Sequence, residues 1–533
     1  MEQRNLILAM ALSMIVLLGW GVIFPDEEKA AVTEQAQSFE TNAVESGAIT
    51  NPDELTLAPL SSDAVPVTNR QSVSDIVDDG LAGQTFEISN DLMRLTVNDK
   101  GWLTQALLND YLESLEPGAG NVAALNMATD GGHSVYVNAG VLNRSLAQPF
   151  TVAQQTEKSV RLHATLDDGH VWQRQISLVP GSYIIEIEDR IVDGAGMKVY
   201  RQVVERFPDK NLNTFYEHMG PTALFNGKLI EPDYDDLDEE GSQRMASMGG
   251  WTAIMNRYFI AALISNPDQN YPYYFKGDGR SYQAGLIDDG IVEGRDAVFT
   301  SKLYVGPKAT PILEAAGSEL ERSVDFGWFS PIAKPMHDFL GWIYDYIPNF
   351  GFCIIILVIC IKIIFFYPTQ KSYESMAAMR KLSPEMARIK DLYGDDRQRV
   401  SKEVMELYKK NKVNPLGGCL PILIQIPVFF ALYKVLLMSI EMRQAPFIGW
   451  ITDMSVQDPF FVLPVLMGIS MYIQQKLNPQ PPDPIQAKVM QFLPPMFTVM
   501  FLFFPAGLVL YWVVNNCLAI VQQRWVMKRM NVD

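Results

Sequence analysis

Stretches without a charged residue divide this chain into segments. Between Arg4 and Asp26 lie 21 uncharged residues rich in Leu, Ile, Met and Val, and between Asp345 and Lys362 lie 16, with apolar character continuing through Phe366. Three more follow: 21 between Lys412 and Lys434 (apolar on to Ile440), 17 between Asp458 and Lys476, and 35 between Lys488 and Arg524. About 20 mostly apolar residues carry a helix across a ~30 Å hydrocarbon core. At ~1.5 Å per residue the last run would be roughly 52 Å long as one helix, too long for an ordinary bilayer. Phe504-Pro505-Ala506-Gly507 at its middle reads as the turn of a helical hairpin. The pattern predicts six transmembrane helices, with the apolar parts of the last two only about 16–17 residues each and so short for the membrane.

A different periodicity occupies the region between the first two runs. Residues 26–80 are rich in Ala, Ser, Thr, Glu and Asp with scattered Pro, which predicts a disordered acidic tether. From about 81 the apolar positions alternate with polar ones, as in Phe86, Ile88, Leu92, Leu95 and Val97. The clearest hairpin runs from Val160-Arg-Leu162-His-Ala164 through Asp167-Asp168-Gly169 to Val171–Ile176, and a further strand, Tyr183–Glu188, ends near Asp193-Gly194. The reading is an antiparallel β-sandwich over 81–325 with few helices.

Between that domain and the second span, Met336, Phe339, Leu340, Ile343 and Ile347 form a helical stripe. Pro335 is placed like a first helical residue, so 326–345 predicts an amphipathic helix in the outer interface, the alternative being a helix packed on the exported domain. Segment 371–412 predicts a helical hairpin broken at Gly394-Asp395-Asp396, with Met376, Met379 and Leu382 facing Val400, Val404 and Leu407.

Charge gives the orientation. The chain has 533 residues and a net charge of −18, yet its mean hydropathy is slightly positive. The average conceals a segregation: residues 26–325 carry 22 Lys+Arg against 46 Asp+Glu, whereas 326–533 carry 20 against 14. Segment 368–412 alone holds 11 basic residues, and Arg524, Lys528 and Arg529 follow the last run, which places both in the cytoplasm. Six spans then put the N-terminus inside, with 1–25 as an uncleaved anchor, and the acidic 26–325 outside, in a bacterial periplasm. The composition excludes collagen-like and disulfide-scaffold chains, and its acidity argues against direct nucleic-acid binding.

No catalytic constellation is visible. His133, His163, His170 and His218 stand apart with no metal-ligand spacing, and the four cysteines (Cys353, Cys360, Cys419, Cys517) all lie in or at membrane segments. The acidic run from Glu231 to Glu240 lacks the spacing and sixth-position glycine of a calcium loop and reads as a solvated loop. No nucleophile elbow or P-loop occurs, so neither a nucleotide nor a metal cofactor is expected.

What remains is polarity where the bilayer should have none. Lys362 lies within the second span, where an ionisable residue costs about 2.5–3.5 kcal/mol at the helix centre. It also lies about two turns from Pro368, so the residues alone leave two roles open, a buried functional charge or a snorkelling lysine. Gln425, Ser470, Gln474, Asn515 and Asn516 are further intramembrane polar residues, each explicable as helix-to-helix glue. Lys434, near the outer end of its span, reads as snorkelling.

The blocks KVNPLGGCLPILIQIPVFFALY (412–433), RQAPFIGWITDMSVQDPFFVLPVLMG (443–468) and FPAGLVLYWVVNNCLAIVQQ (504–523) closely resemble the YidC family of membrane protein insertases, which includes the mitochondrial Oxa and chloroplast Albino proteins. The resemblance is strong over 326–533, and the anchor, acidic tether and β-rich domain match the Gram-negative form in layout. It implies a polytopic α-helical membrane bundle, its five-helix core spanning 346–533, with a large exported β-sandwich. The implied activity is insertion and folding of nascent membrane proteins, alone or beside the Sec translocon, without covalent chemistry. It also implies a hydrophilic groove open to cytoplasm and lipid, with one positive charge, which by position is Lys362 where the bacterial family usually has Arg. Gln425, Ser470, Gln474, Asn515 and Asn516 would line that groove, and Tyr511 and Trp512 would contact substrate. Ribosome and signal-recognition contacts would rest on 371–412 and the 476–488 loop. Two other functions fit a membrane chain of this layout. A secondary transporter predicts inverted repeats and an acidic partner for Lys362, and neither is visible. A membrane-anchored carbohydrate-active protein predicts clustered carboxylates or His on the β domain.

Overall fold

A computed structural model describes residues 83–128, 132–210, 218–394, 396–411, 413, 420–478 and 484–531. The expected anchor (1–25) and tether (26–80) lie outside the described residues.

The exported part is two antiparallel sheets packed face to face, of nine and ten strands among the described residues. The predicted hairpin forms from strands Ser159–Leu166 and Val171–Leu178, in register Val160↔Ile176 and His163↔Gln173. Val160, Leu162, Ala164 and Leu166 point inward and their neighbours outward, as the alternation requires. Gly169 at the turn has φ +90°, a conformation that costs a glycine nothing. Three strands escape that pattern: Gly220–Phe225, Trp251–Met255 and Phe259–Ile264 are buried at every position, because both of their faces are covered.

The acidic run is a short helix rather than a loop: α1 (Tyr234–Glu240). Its Tyr234 and Leu237, one turn apart, are buried, and this packing outweighs the repulsion of its exposed carboxylates. The Tyr234 hydroxyl donates to Glu205 Oε2 at 2.7 Å, and Asp238 pairs with Lys210 while accepting from Tyr282 Oη at 2.7 Å.

A charge cluster joins the two sheets through the core. Asp189, on strand Ile184–Ile191, accepts from Arg174 Nε at 2.7 Å, Arg174 Nη2 at 3.1 Å, Trp172 Nε1 at 2.8 Å and Arg201 Nη2 at 2.7 Å. Arg174 lies beside Asp189 in the ten-stranded sheet, whereas Arg201 comes from the nine-stranded one and reaches Asp288 at 3.4 Å. Burial pulls the Asp189 carboxyl upward, but the two guanidiniums outweigh it and hold the group below the usual carboxylate range.

The chain leaves the sandwich through α2 (Thr310–Ala316) and enters α3 (Ser330–Tyr346). Pro335, expected as the first helical residue, sits inside α3 instead, and Pro331 occupies the first turn, because the helix starts earlier at Ser330. The predicted stripe is present, but Ala333, Met336, Leu340 and Ile343 are buried in the core of the helical bundle, which places this face on neighbouring helices.

The helices that follow are α4 (Phe350–Ile364), α5 (Phe366–Lys381), α6 (Ser383–Tyr393), α7 (Arg397–Lys410), α8 (Leu420–Met438), α9 (Val462–Leu477), α10 (Pro484–Phe501) and α11 (Ala506–Arg529). The predicted hairpin 371–412 breaks at 394–396 as expected, and Met376 and Met379 share a cluster with Val404, against which Leu382, Val400 and Leu407 pack. Its first arm is itself divided at Leu382, where Pro384 opens α6. The turn between α10 and α11 falls at 502–505. Both helices outrun the apolar segment, and α11 has 24 residues, so only its apolar part is short.

Among the described residues, α11 alone is long and apolar enough to cross a bilayer by itself. The pair α4–α5 passes only as a unit bent by 69°. The six-span expectation is therefore not reached by helix length, since α4 has 15 residues and α9 has 16. Helices α9 and α10 approach closely at Gly468, where an added Cβ would lie 2.0 Å from Thr498 Oγ1. Gly468→Val is expected to lower stability by about 1–3 kcal/mol through overpacking. Thermal unfolding in detergent checks this, and an unchanged midpoint would contradict it.

Candidate intramembrane polar site

The site is built around α11, which packs against α4, α5, α8 and α9. On α4 the residues Ile354, Leu357 and Val358 are buried in the bundle, while Ile359 and Ile363 are exposed. Lys362 follows Ile354 and Val358 at four-residue intervals, so it continues the buried stripe, one face away from exposed Ile363. Lys362 is half-buried as a residue. Among the described residues no carboxylate lies within 4.0 Å of Lys362, and it makes no hydrogen bond to them. Immediately after it, α4 ends at Phe365 and the chain bends into α5.

The other predicted residues fall into three groups. Gln425 of α8 donates from Nε2 to Tyr511 Oη of α11 at 3.3 Å. Asn516 of α11 donates to Ser470 Oγ of α9 at 3.0 Å, and Ser470 in turn donates to the Met467 carbonyl at 2.6 Å. Asn515 is buried and Gln474 half-buried, and neither makes a side-chain hydrogen bond to the described residues. Gln474 lies one turn beyond Ser470 on α9, and Asn515 one turn beyond Tyr511 on α11.

The two aromatic residues differ in exposure: Tyr511 is buried and Trp512 half-buried. Tyr511 is 1% exposed, and Trp512 packs between Phe429 and Phe501, with ring centroids 5.3 and 5.8 Å away. The Trp512 Nε1 is buried without a hydrogen-bond partner. Contact between Tyr511 and a substrate therefore requires α8 and α11 to move apart, whereas Trp512 keeps part of its surface accessible. Phe429 of α8 lies 6.5 Å from Tyr511, and this aromatic seam holds the helices together.

Two polar residues escaped the sequence reading. Gln522 is buried and donates to the Phe366 carbonyl at the α4–α5 bend (3.2 Å), and Gln523 donates to Asn478 Oδ1 at the end of α9 (3.0 Å). Each lies seven residues beyond an asparagine, 515 to 522 and 516 to 523, and that two-turn repeat was the available signal. Lys434 lies near the outer loop: its Nζ is 3.7 Å from where a Cβ on Gly327 would stand. Among the described residues no group of three or more His, Cys, Asp or Glu could hold a metal ion. The arrangement can accept and orient polar groups inside a helical bundle, and no nucleophile–base pair is assembled in it.

Comparison with known proteins identifies the family. Residues 85–339 match the family model described as "YidC periplasmic domain", and residues 342–533 match "60Kd inner membrane protein". The membrane protein insertase YidC of Hahella chejuensis is 36% identical over 555 aligned residues, covering 98% of this chain and 96% of the relative. The Geotalea daltonii protein of the same name is 34% identical, with 99% of each covered. That of Magnetococcus marinus is 45% identical over 375 residues, covering 68% of this chain and 67% of its own length. The chain is thus similar along its whole length, in both the β-sandwich and the helical bundle, to membrane protein insertases, and it belongs to the YidC family of membrane protein insertases.

Proposed function

We propose that this chain inserts nascent membrane proteins through a polar groove bounded by α4, α8, α9 and α11, with Lys362 as its charge. The supporting observation is the placement of Lys362 on the same helical stripe as buried Ile354 and Val358, with no carboxylate within 4.0 Å among the described residues. A purely snorkelling lysine would be served equally well by the exposed face at Ile363.

The chain crosses the inner membrane six times, with both termini and segment 371–412 in the cytoplasm and the β-sandwich in the periplasm. A nascent apolar segment with a polar, often acidic, flank enters from the cytoplasm. Lys362, Gln425, Gln474 and Asn515 replace water around the flank and so lower the cost of burying polar groups in hydrocarbon. The short α4 and α9 thin the local bilayer, which shortens the apolar path. The segment then partitions sideways into lipid, where about 25 cal/mol per Å² of buried apolar surface drives the process. Ser470–Asn516 and Gln425–Tyr511 hold the groove walls in register. The basic α5–α7 region and the 476–488 loop offer contact to the ribosome and signal-recognition machinery, and the Sec translocon is a lateral partner.

Proteoliposomes containing only this chain are expected to insert a small single-span substrate without added nucleotide. Absence of insertion, or a strict nucleotide requirement, would contradict the proposal.

A further inference from the structure

The loop between α8 and α9 belongs to two cores at once. Ile440 is 3% exposed and is packed into the core of the exported sandwich. Met442, two residues on, is 1% exposed and belongs to the core of the helical bundle, as do Ile451 and Met454. Between those two residues Glu441 lies close enough to the Tyr111 phenol to act on its charge. That phenol is pushed up to about 12, first by burial and then by Glu441.

Polar contacts complete the junction. Arg443 Nη2 donates to the carbonyls of Leu112 (2.6 Å) and Glu113 (3.0 Å), and Gln444 Nε2 donates to the Leu112 carbonyl at 2.9 Å. Leu112 ends the strand Leu103–Leu112, which returns through residues 113–120 to Asn121–Asn126. The tip of one sandwich hairpin is thus gripped by two consecutive side chains of a membrane loop. Gln444 adopts φ 59°, an unfavourable conformation for a non-glycine residue, and so carries some backbone strain in making this contact.

The rest of the same loop holds the outer ends of four helices. Phe447 lies on Gly351, where an added Cβ would be 1.9 Å from the ring, and its carbonyl accepts from Asn349 Nδ2 at the start of α4. The carbonyls of Met454 and Val456 accept from Gly507 N (3.0 Å) and Ala506 N (2.7 Å), capping α11. Asp458 accepts from Leu463 N at 2.7 Å, which fixes the start of α9, and from Trp450 Nε1 at 2.9 Å. Ser439 and Ile440 continue directly from the end of α8.

We propose that Arg443 and Gln444 are positioning residues: they lock the hairpin 112–121 of the exported domain onto loop 439–461. Through that loop the sandwich sets the outer ends of α4, α8, α9 and α11. Docking of the sandwich and order in the outer end of the bundle are therefore one coupled equilibrium. Only its consequence, a groove held closed on the outer side, rests on the groove reading above, because the coupling itself is read out without insertion.

The test is hydrogen exchange on the full chain in a bilayer disc, following the amides of Met454, Ala506 and Gly507. The double variant Arg443→Ala/Gln444→Ala is expected to speed their exchange about tenfold, with Arg443→Lys alone close to the parent. A second variant leaves the membrane loop untouched and replaces residues 112–121 with a two-residue Asn-Gly turn, removing Leu112 and Glu113 with their carbonyl acceptors. It is expected to speed exchange at the same three amides while the strands Val160–Leu166 and Ile184–Ile191 keep their protection. Unchanged exchange in the double variant overturns the proposal. So does acceleration in the double variant without acceleration on hairpin shortening, because the two side chains would then act only within their own loop.

Discussion

Lys362→Ala is expected to reduce insertion of a small substrate bearing an acidic flank by about tenfold or more, with the protein still folded and in the membrane. The magnitude follows from the environment: a charge that offsets even ~1.4 kcal/mol of the flank's desolvation changes the rate or partition tenfold. Lys362→Arg is expected to keep most of the activity, since both side chains carry the charge and differ mainly in fork geometry. Lys362→Glu is expected to be worse than alanine for acidic flanks and to recover substrates whose flank is basic. That reversal separates an electrostatic role from a packing role, because a packing defect would not follow the sign of the substrate. Insertion in cells depleted of their own insertase reads all three variants, and equal insertion by alanine and lysine would remove Lys362 from the mechanism.

The largest stability effect is expected in the exported domain, at Asp189. Asp189→Ala leaves Arg174 and Arg201 buried without their shared acceptor, and breaking a buried pair this way costs about 3–5 kcal/mol. For a domain of this size that is roughly 10 °C or more in the unfolding midpoint. Replacing Arg174, Asp189, Arg201 and Asp288 together by apolar residues of similar volume is expected to recover much of the loss, because the penalty lies in the orphaned charges. The pH dependence has a definite sign. Asp189 titrates below its unfolded value, so its contribution is fully present above about pH 4 and is lost as pH falls through the folded value. Asp288, pushed upward by burial, works in the opposite direction and favours the fold most at low pH. Thermal unfolding of the full chain in detergent at pH 7 and below pH 4, followed through the environment of Trp172, distinguishes the two. The gap between wild type and Asp189→Asn is expected to narrow in acid, and a gap independent of pH would contradict the assignment.

Much of this architecture was legible in the residues because two solvents write two patterns. Hydrocarbon forbids charge, so uncharged runs marked α4, α8, α9, α10 and α11. Water on one face of a sheet enforces alternation, so the hairpin was legible with its turn at Asp167–Gly169, although its strands, Ser159–Leu166 and Val171–Leu178, run up to two residues further than the pattern marked. The failures come where neither solvent is adjacent. Trp251–Met255 and Phe259–Ile264 are covered on both faces and carry no alternation. The run Glu231–Glu240 looked like a solvated loop because its seven carboxylates in ten residues hid Tyr234 and Leu237, whose packing decides its conformation. Pro335 was read as a helix start, yet the helix begins a turn and a half earlier at Ser330, where Pro331 was equally eligible. In the proposed groove, Lys362, Gln425, Ser470 and Asn516 stood out in the sequence because they are polar within apolar runs. Gln522 and Gln523 border on charged Arg524 and so passed for the cytoplasmic end of α11.

The central claim, a substrate path along the inward face of α4, is tested most directly by crosslinking. A photoreactive residue placed at Ile361 or Gln425, beside the proposed path, is compared with one at Ile363 or Val521, both on exposed faces. A ribosome-stalled nascent chain with its apolar segment just emerged is expected to crosslink to the first pair and only weakly to the second. The preference should vanish once the chain is released into lipid. Equal crosslinking at all four positions, or a preference for Ile363 and Val521, would contradict a path through the groove.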